Sequence, residues 1–165
     1  MSFVDEAVAN NRIYAESFVG PLPLPPAKKL AVLACMDARL DVARVLGLNE
    51  GDAHVIRNAG GVVTEAEIRS LAISQHLLDT KEIILIHHTD CGMLTFNDGA
   101  FLESLASATG IRPSWAPMAF TNPEEDVRSG IRAIKQSPFV PHTAAIRGFI
   151  FDVETGLLNE VQNNE

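Results

Sequence analysis

The sequence predicts a three-layer α/β fold: a mostly parallel sheet of strand order 2-1-3-4, with an antiparallel strand added at its edge and helices on both faces. Three observations carry this. Short continuous apolar runs alternate with longer amphipathic stretches, as strands buried on both faces alternate with their crossover helices. At 165 residues, 47% hydrophobic and 21% charged, the chain is long and apolar enough for one domain with a real core. Two of the helical stretches also begin with recognisable capping residues.

Residues 3–18 read as an amphipathic helix, with Val4, Ala7, Val8, Ile13, Tyr14 and Phe18 near helical spacing. It stops at Gly20-Pro21. Gly20 to Pro26 holds four of the nine prolines, cannot form a regular backbone ladder, and so reads as an extended connector that sets the first helix apart. Residues 1–26 are therefore expected to pack on a partner subunit, within a single domain spanning 1–165. Strands follow at about 30–36, 53–58, 82–88 and 144–152. Between them lie a short helix near 41–47, a firm one at 65–79, one or two pieces within 92–109, and one at 123–136. Thr64 and Glu67 stand at capping-box spacing, and Asn122 precedes Pro123 at a first helical position. Thr155-Gly156 turns the chain into a last strand near 157–161, antiparallel at the edge.

A formal net charge of −8 argues against nucleic acid or an anionic membrane as the partner. No apolar run approaches the ~18 residues of a membrane span, and Asp5 and Glu6 stand where a signal peptide would be basic. A cytoplasmic protein is expected. Two cysteines, Cys35 and Cys91, are too few for a disulfide framework.

Their neighbours matter more. Cys35-Met36-Asp37-Ala38-Arg39 lies where the first strand ends, and in an extended chain residues 35, 37 and 39 project to one side. His88-Thr89-Asp90-Cys91 ends the third strand, and Gly92 suits a tight exit from the sheet. If strands one and three are neighbours, Cys35 meets His88 and Cys91 in the crevice at their carboxyl ends, where open α/β sheets bind ligands. Two thiolates and an imidazole suit Zn²⁺, and three protein ligands leave one position open, the mark of a catalytic site. A cysteine at a strand end is by itself more often a small buried hydrophobe. Here both cysteines end strands, one with His at i−3 and the other with Asp at i+2. A closed structural site would need a fourth ligand, and only Asp37 is placed to supply it.

These residues resemble the β-class carbonic anhydrases. The Cys-x-Asp-x-Arg motif of that family is matched by Cys35, Asp37 and Arg39, and its His-x-x-Cys motif by His88 and Cys91 with Gly92 following. Val55-Ile56-Arg57-Asn58-Ala59-Gly60 and Gly148-Phe149-Ile150-Phe151-Asp152 with Thr155-Gly156 are similar too. The resemblance covers about residues 28–160 and is to the compact members with a reduced N-terminal region. It implies reversible hydration of carbon dioxide to bicarbonate and a proton, a lyase reaction (carbonate dehydratase), with Zn²⁺ held by Cys35, His88 and Cys91. It implies that Asp37 accepts a hydrogen bond from the reacting hydroxide while Arg39 keeps Asp37 ionised and off the metal. It also implies a closed, inactive state with Asp37 as fourth ligand, into which Asp37 is expected to switch with pH, and a homodimer or dimer of dimers with N-terminal helices reaching across.

The chain departs from the family in three places. Ala38 replaces a common Ser. Val32 stands where bicarbonate-regulated members carry Trp, so their inhibitory pocket is expected to be absent or altered, although Arg57 matches its arginine. The Leu22 to Pro26 stretch replaces a substrate-orienting Gln, leaving that task to a backbone amide near Gly60 and Gly61, which also stand where an anion could rest before a helix. Carbonyl sulfide or carbon disulfide hydrolysis at the same site is the nearest rival activity. A non-catalytic zinc or redox module using Cys35 and Cys91 is the rival of another class, disfavoured because it would not need Asp37 and Arg39.

The remaining candidates have plainer readings. Arg57 is expected to be buried in a salt bridge with a carboxylate, and His87 to be packing, because consecutive strand residues face opposite ways. His54, His76 and His142 could carry protons but read as surface or interface residues. Asp90 reads as a cap for the turn after the third strand. The apolar 110–121 loop is expected at a subunit contact.

Overall fold

The computed structural model describes residues 2–162. Its five strands are β1 (Leu30–Cys35), β2 (Ala53–Asn58), β3 (Glu82–His88), β4 (Ile146–Phe151) and β5 (Leu158–Glu160), and they lie in the order β2-β1-β3-β4-β5. The first four are parallel, and β5 runs antiparallel beside β4 at the edge. The expected order is the observed one. The expected strand ends are trimmed: β1 stops at Cys35 instead of 36, and β4 begins at Ile146 instead of 144.

Alternation along β1 divides the core into two layers. Ala31 and Leu33 pack on one face with Leu71 from α3 (Glu65–Leu78) and with Val127, Ile131 and Ile134 from α5 (Pro123–Gln136). Val32 and Ala34 pack on the other with Leu40, with Val42 from α2 (Val42–Leu46), and with Met93 and Phe120. Burial on both faces is why β1 reads as an unbroken apolar run.

The helix starts follow their capping residues. In α3, Thr64 accepts from the backbone of Ala66 while Glu67 reaches back to the Thr64 N–H at 2.9 Å. In α5, Asn122 accepts from Glu125 N at 3.1 Å with Pro123 at the first position. The 92–109 region resolves into a 3₁₀ turn at Gly92–Leu94 and α4 (Asp98–Thr109), capped by Asn97. The first helix, α1 (Phe3–Ser17), is capped by Ser2 and Asp5 and buries none of its residues.

What positions the site is the seam between β1 and β3. Ala34 pairs with Ile86, so the two strands end side by side. A 3₁₀ turn at Ala59–Gly61, leaving β2, presses onto that seam. A Cβ on Gly61 would sit 2.9 Å from the Cys35 amide nitrogen and 3.0 Å from the Ile86 carbonyl oxygen, and its φ of +74° is left-handed. Only glycine fits there without moving a strand.

Candidate metal centre

Cys35 is the last residue of β1, and the chain then turns sharply. The Arg39 amide donates to Asp37 Oδ1 at 2.8 Å, and the Leu40 amide to the Asp37 carbonyl at 3.1 Å. This corrects the reason for the convergence of residues 35, 37 and 39: a turn closed by the Asp37 side chain brings them together, not continued strand alternation.

Arg57 on β2 clamps the same turn. Its Nε and Nη2 donate to the Cys35 carbonyl at 3.0 and 2.7 Å, and Nη2 also donates to the Asp37 carbonyl at 2.7 Å. The expected buried ion pair with a carboxylate is not formed. Arg57 is exposed, and its donors satisfy carbonyl groups that leave the sheet ladder where β1 ends.

His88 ends β3, and Asp90, in left-handed backbone with φ 53°, turns the chain so that Cys91 comes back beside it. His88 Nδ1 lies 2.8 Å from the Thr89 carbonyl, which can only accept, so Nδ1 carries the proton and Nε2 is the free lone pair. Nε2 is buried and has no hydrogen-bond partner. The ligating atoms of Cys35, His88 and Cys91 all lie within 4.8 Å of one another, and all three residues are buried; no other such cluster exists among the described residues.

The electrostatics fit a divalent cation. Burial opposes ionisation of Cys35, but the adjacent His88 ring and the Asp37 and Gly60 backbone amides outweigh it, lowering the thiol to about 7. Burial, joined by the neighbouring Cys35 charge, pushes the Cys91 thiol up to about 11. One thiolate is thus readily held and the second is opposed, unless a positive ion sits between them. With an imidazole nitrogen left unpartnered among the same atoms, the donor set of two sulfurs and one nitrogen fits zinc.

Asp37 is held ionised by Arg39. Hydrogen bonds from the guanidinium, aided by the Arg39 backbone amide, keep its carboxyl far below the usual range despite some burial. Arg39 Nε reaches Oδ1 at 2.9 Å and Nη2 reaches Oδ2 at 2.8 Å. Asp37 Oδ2 lies 3.7 Å from His88 Nε2. Asp90 does not serve as the cap expected of it: its Oδ2 accepts from Arg39 Nη1 at 2.7 Å.

A cavity of about 180 Å³ opens on these atoms, lined by Cys35, Met36, Asp37, Ala59, Gly60, His88, Cys91, Gly92 and Met93. Gly60 borders it, while Gly61 is packed against strand backbone and the Gly60 amide is directed at the Cys35 sulfur. A larger apolar cleft of about 750 Å³, between α3 and the end of α5, holds no ligating cluster. Ala59, within the family-like 55–60 segment, and Met93 add apolar walls; Met93 carries no signal in the sequence apart from its closeness to Cys91.

The other histidines are engaged elsewhere. His87 is buried, with Nε2 2.8 Å from Asp126 Oδ2 and its ring against Phe120, so it packs as expected. His54 Nδ1 pairs with Ser74 Oγ at 2.7 Å, His76 Nε2 with the Phe139 carbonyl at 3.1 Å, and His142 Nε2 with Lys81 Nζ at 2.9 Å. None of these three lines the cavity. The 110–121 loop is tied to its own chain, the Asp98 carboxylate accepting from the amides of Met118 and Ala119 at 3.2 and 2.8 Å.

Comparison with known proteins agrees with this arrangement. The family model described as carbonic anhydrase matches residues 30–116. Beta-carbonic anhydrase 1 of Mycobacterium tuberculosis is 60% identical over 161 residues, covering 98% of this chain and 99% of the relative. A carbon disulfide hydrolase of Acidianus is 32% identical, over 86% and 83% of the two chains. Among solved structures, a carbonic anhydrase from Streptococcus mutans superposes with a TM-score of 0.92 at 44% identity, covering 98% of this chain and 99% of the other. One from Glaciozyma antarctica gives 0.90 at 41%, covering 98% and 100%.

Proposed function

The chain belongs to the β-class carbonic anhydrases, and from that premise we infer how its own residues run the family reaction. It is a zinc-dependent lyase that reversibly hydrates carbon dioxide to bicarbonate and a proton. Cys35, His88 and Cys91 would hold the zinc. When bound, zinc supplies a Lewis acid that makes water a nucleophile near neutral pH.

One observation carries the role of Asp37. A carboxylate offers about four acceptor positions. Arg39 fills both on Oδ1, through its backbone N–H and Nε, and one on Oδ2, through Nη2. The remaining position belongs to Oδ2, the oxygen 3.7 Å from His88 Nε2 and hence beside the cation site. Because Asp37 is ionised, that position can only accept, so it orients a reacting water by one hydrogen and leaves the oxygen lone pair for carbon. Arg39 is the residue that keeps Asp37 in this pose. Release of its three contacts would free Asp37 to become a fourth ligand and close the site. Met36, Ala59 and Met93 give the cavity walls suited to a small apolar linear molecule.

Asp37→Asn should keep zinc and lose turnover by about 10²-fold or more, the scale of a general acid–base contact, in stopped-flow carbon dioxide hydration. Cys91→Ser should lose the zinc itself. Full turnover in Asp37→Asn would remove the assignment.

The assembly belongs to the same proposal. Phe3, Val4, Val8 and Ile13 of α1 are exposed along a helix that buries nothing in its own subunit, which supports α1 and its connector packing on a second copy in a homodimer or a dimer of dimers. Val8→Asp should shift the molar mass measured by light scattering toward a monomer. Two free cysteines suit a reducing compartment and support a cytoplasmic location. Among the described residues no helix is long and apolar enough to cross a membrane.

A further inference from the structure

Arg39 has five guanidinium N–H groups in a rigid fork. Asp37 takes one edge of that fork, through Nε and Nη2. The other edge is taken by Asp90: its Oδ2 accepts from Nη1 at 2.7 Å and its backbone carbonyl from Nη2 at 3.0 Å. Asp37 leaves β1 and Asp90 leaves β3, so one guanidinium ties together the two turns that carry Cys35 and Cys91. The two carboxylates do not compete, because each uses different N–H groups.

Residue 90 is built for this contact. Its φ of 53° is left-handed, a conformation that Asp tolerates better than most residues. Both its side chain and its carbonyl meet the same arginine. Arg39 has a long side chain that is 46% exposed and would otherwise be held by Asp37 alone. The geometry points to Asp90 as a positioning residue for the reaction: it fixes the Arg39 guanidinium, which fills two acceptor positions of Asp37, and so keeps Asp37 from closing onto the cation site. This rests on the roles given to Asp37 and Arg39 above.

Two variants test it without backbone strain. Asp90→Asn keeps an acceptor oxygen and removes the charge; Asp90→Gly removes the side chain and accepts the same φ. On zinc-loaded protein, hydrogen exchange of the Arg39 Nε–H would be followed by ¹⁵N NMR, the signal being assigned by its loss in Arg39→Lys. Carbon dioxide hydration would be measured alongside. The ion pair is largely solvated, the Asp90 side chain being 79% exposed, so the expected effect is about two- to fivefold: faster Nε–H exchange and lower kcat/KM, larger for Gly than for Asn, with zinc content unchanged. Unchanged exchange would overturn the proposal, as would faster exchange with undiminished turnover, or loss of zinc in both variants. If Asp37→Asn kept full turnover, the reading of the Asp37–Arg39 pair would fail instead, a result independent of either Asp90 variant.

Discussion

Replacing Gly61 by alanine should damage both the fold and metal loading, and Gly47 provides the matching control. Both glycines are left-handed, with φ of +74° and +64°. At Gly47 nothing lies within 4 Å of an added Cβ. Gly47→Ala therefore reports the backbone penalty alone, about 1–2 kcal/mol, partly offset by the stiffer unfolded chain. At Gly61 the same Cβ meets the Cys35 nitrogen at 2.9 Å, the Ile86 oxygen at 3.0 Å and the Ala34 carbonyl carbon at 3.2 Å. These are backbone atoms of two adjacent core strands and cannot swing aside, so overpacking should add about 1–3 kcal/mol or more. Urea unfolding of both variants at equal protein concentration, followed by circular dichroism, gives the difference directly. Because the strand that must move carries Cys35, zinc content of Gly61→Ala should also fall. Stability of Gly61→Ala within about 0.5 kcal/mol of Gly47→Ala, the scale of an ordinary surface change, with full zinc loading, would refute the close-approach reasoning.

Three further outcomes follow from the geometry. Asp79 lies 2.8 Å from both Lys29 and Lys81, and those partners lower its carboxyl from 3.8 to about 2. Its stabilising contribution is complete above the unfolded value and is lost as pH falls through the folded one, so the stability deficit of Asp79→Asn in urea titrations should shrink below about pH 4 and vanish only below about pH 2. Chelating the zinc should lower the melting temperature by several degrees, since ligand at about 100 Kd adds about 2.7 kcal/mol and its removal leaves His88 Nε2 buried and unpartnered; an unchanged melting curve would count against metal at these residues. Sulfide release from carbon disulfide should be slower than carbon dioxide hydration on the same sample, in keeping with 60% identity to a beta-carbonic anhydrase against 32% to a carbon disulfide hydrolase, and comparable rates would count against that expectation.

The sheet could be read from the sequence because its central strands β1 and β3 are short apolar runs with punctuated ends, and because Cys35 and His88 both fall at such ends. The three ligand positions needed only that β1 and β3 be neighbours. What could not be read was the chain between ordered elements. A charge in a strand is normally paired, which suggests a carboxylate partner for Arg57, yet the carbonyl groups left over at the end of β1 take its donors. Register would have disclosed it: Arg57 stands opposite Ala34, one residue before Cys35. Asp90 was given a local role because sequence distance hides a contact with Arg39, 51 positions away. The turn at Asp37 escaped for the opposite reason, its side chain bonding only two residues on, where strand alternation predicts the same convergence by a different path.

The seam between β1 and β3 also dictates when the cofactor can arrive. Cys35 precedes His88 and Cys91 by more than fifty positions, so the complete three-residue set exists only once β3 lies beside β1. Loading must therefore wait for the central long-range strand pairing, one of the slower events available to such a chain. A molecule holding zinc through all three residues is therefore one whose central strands are paired.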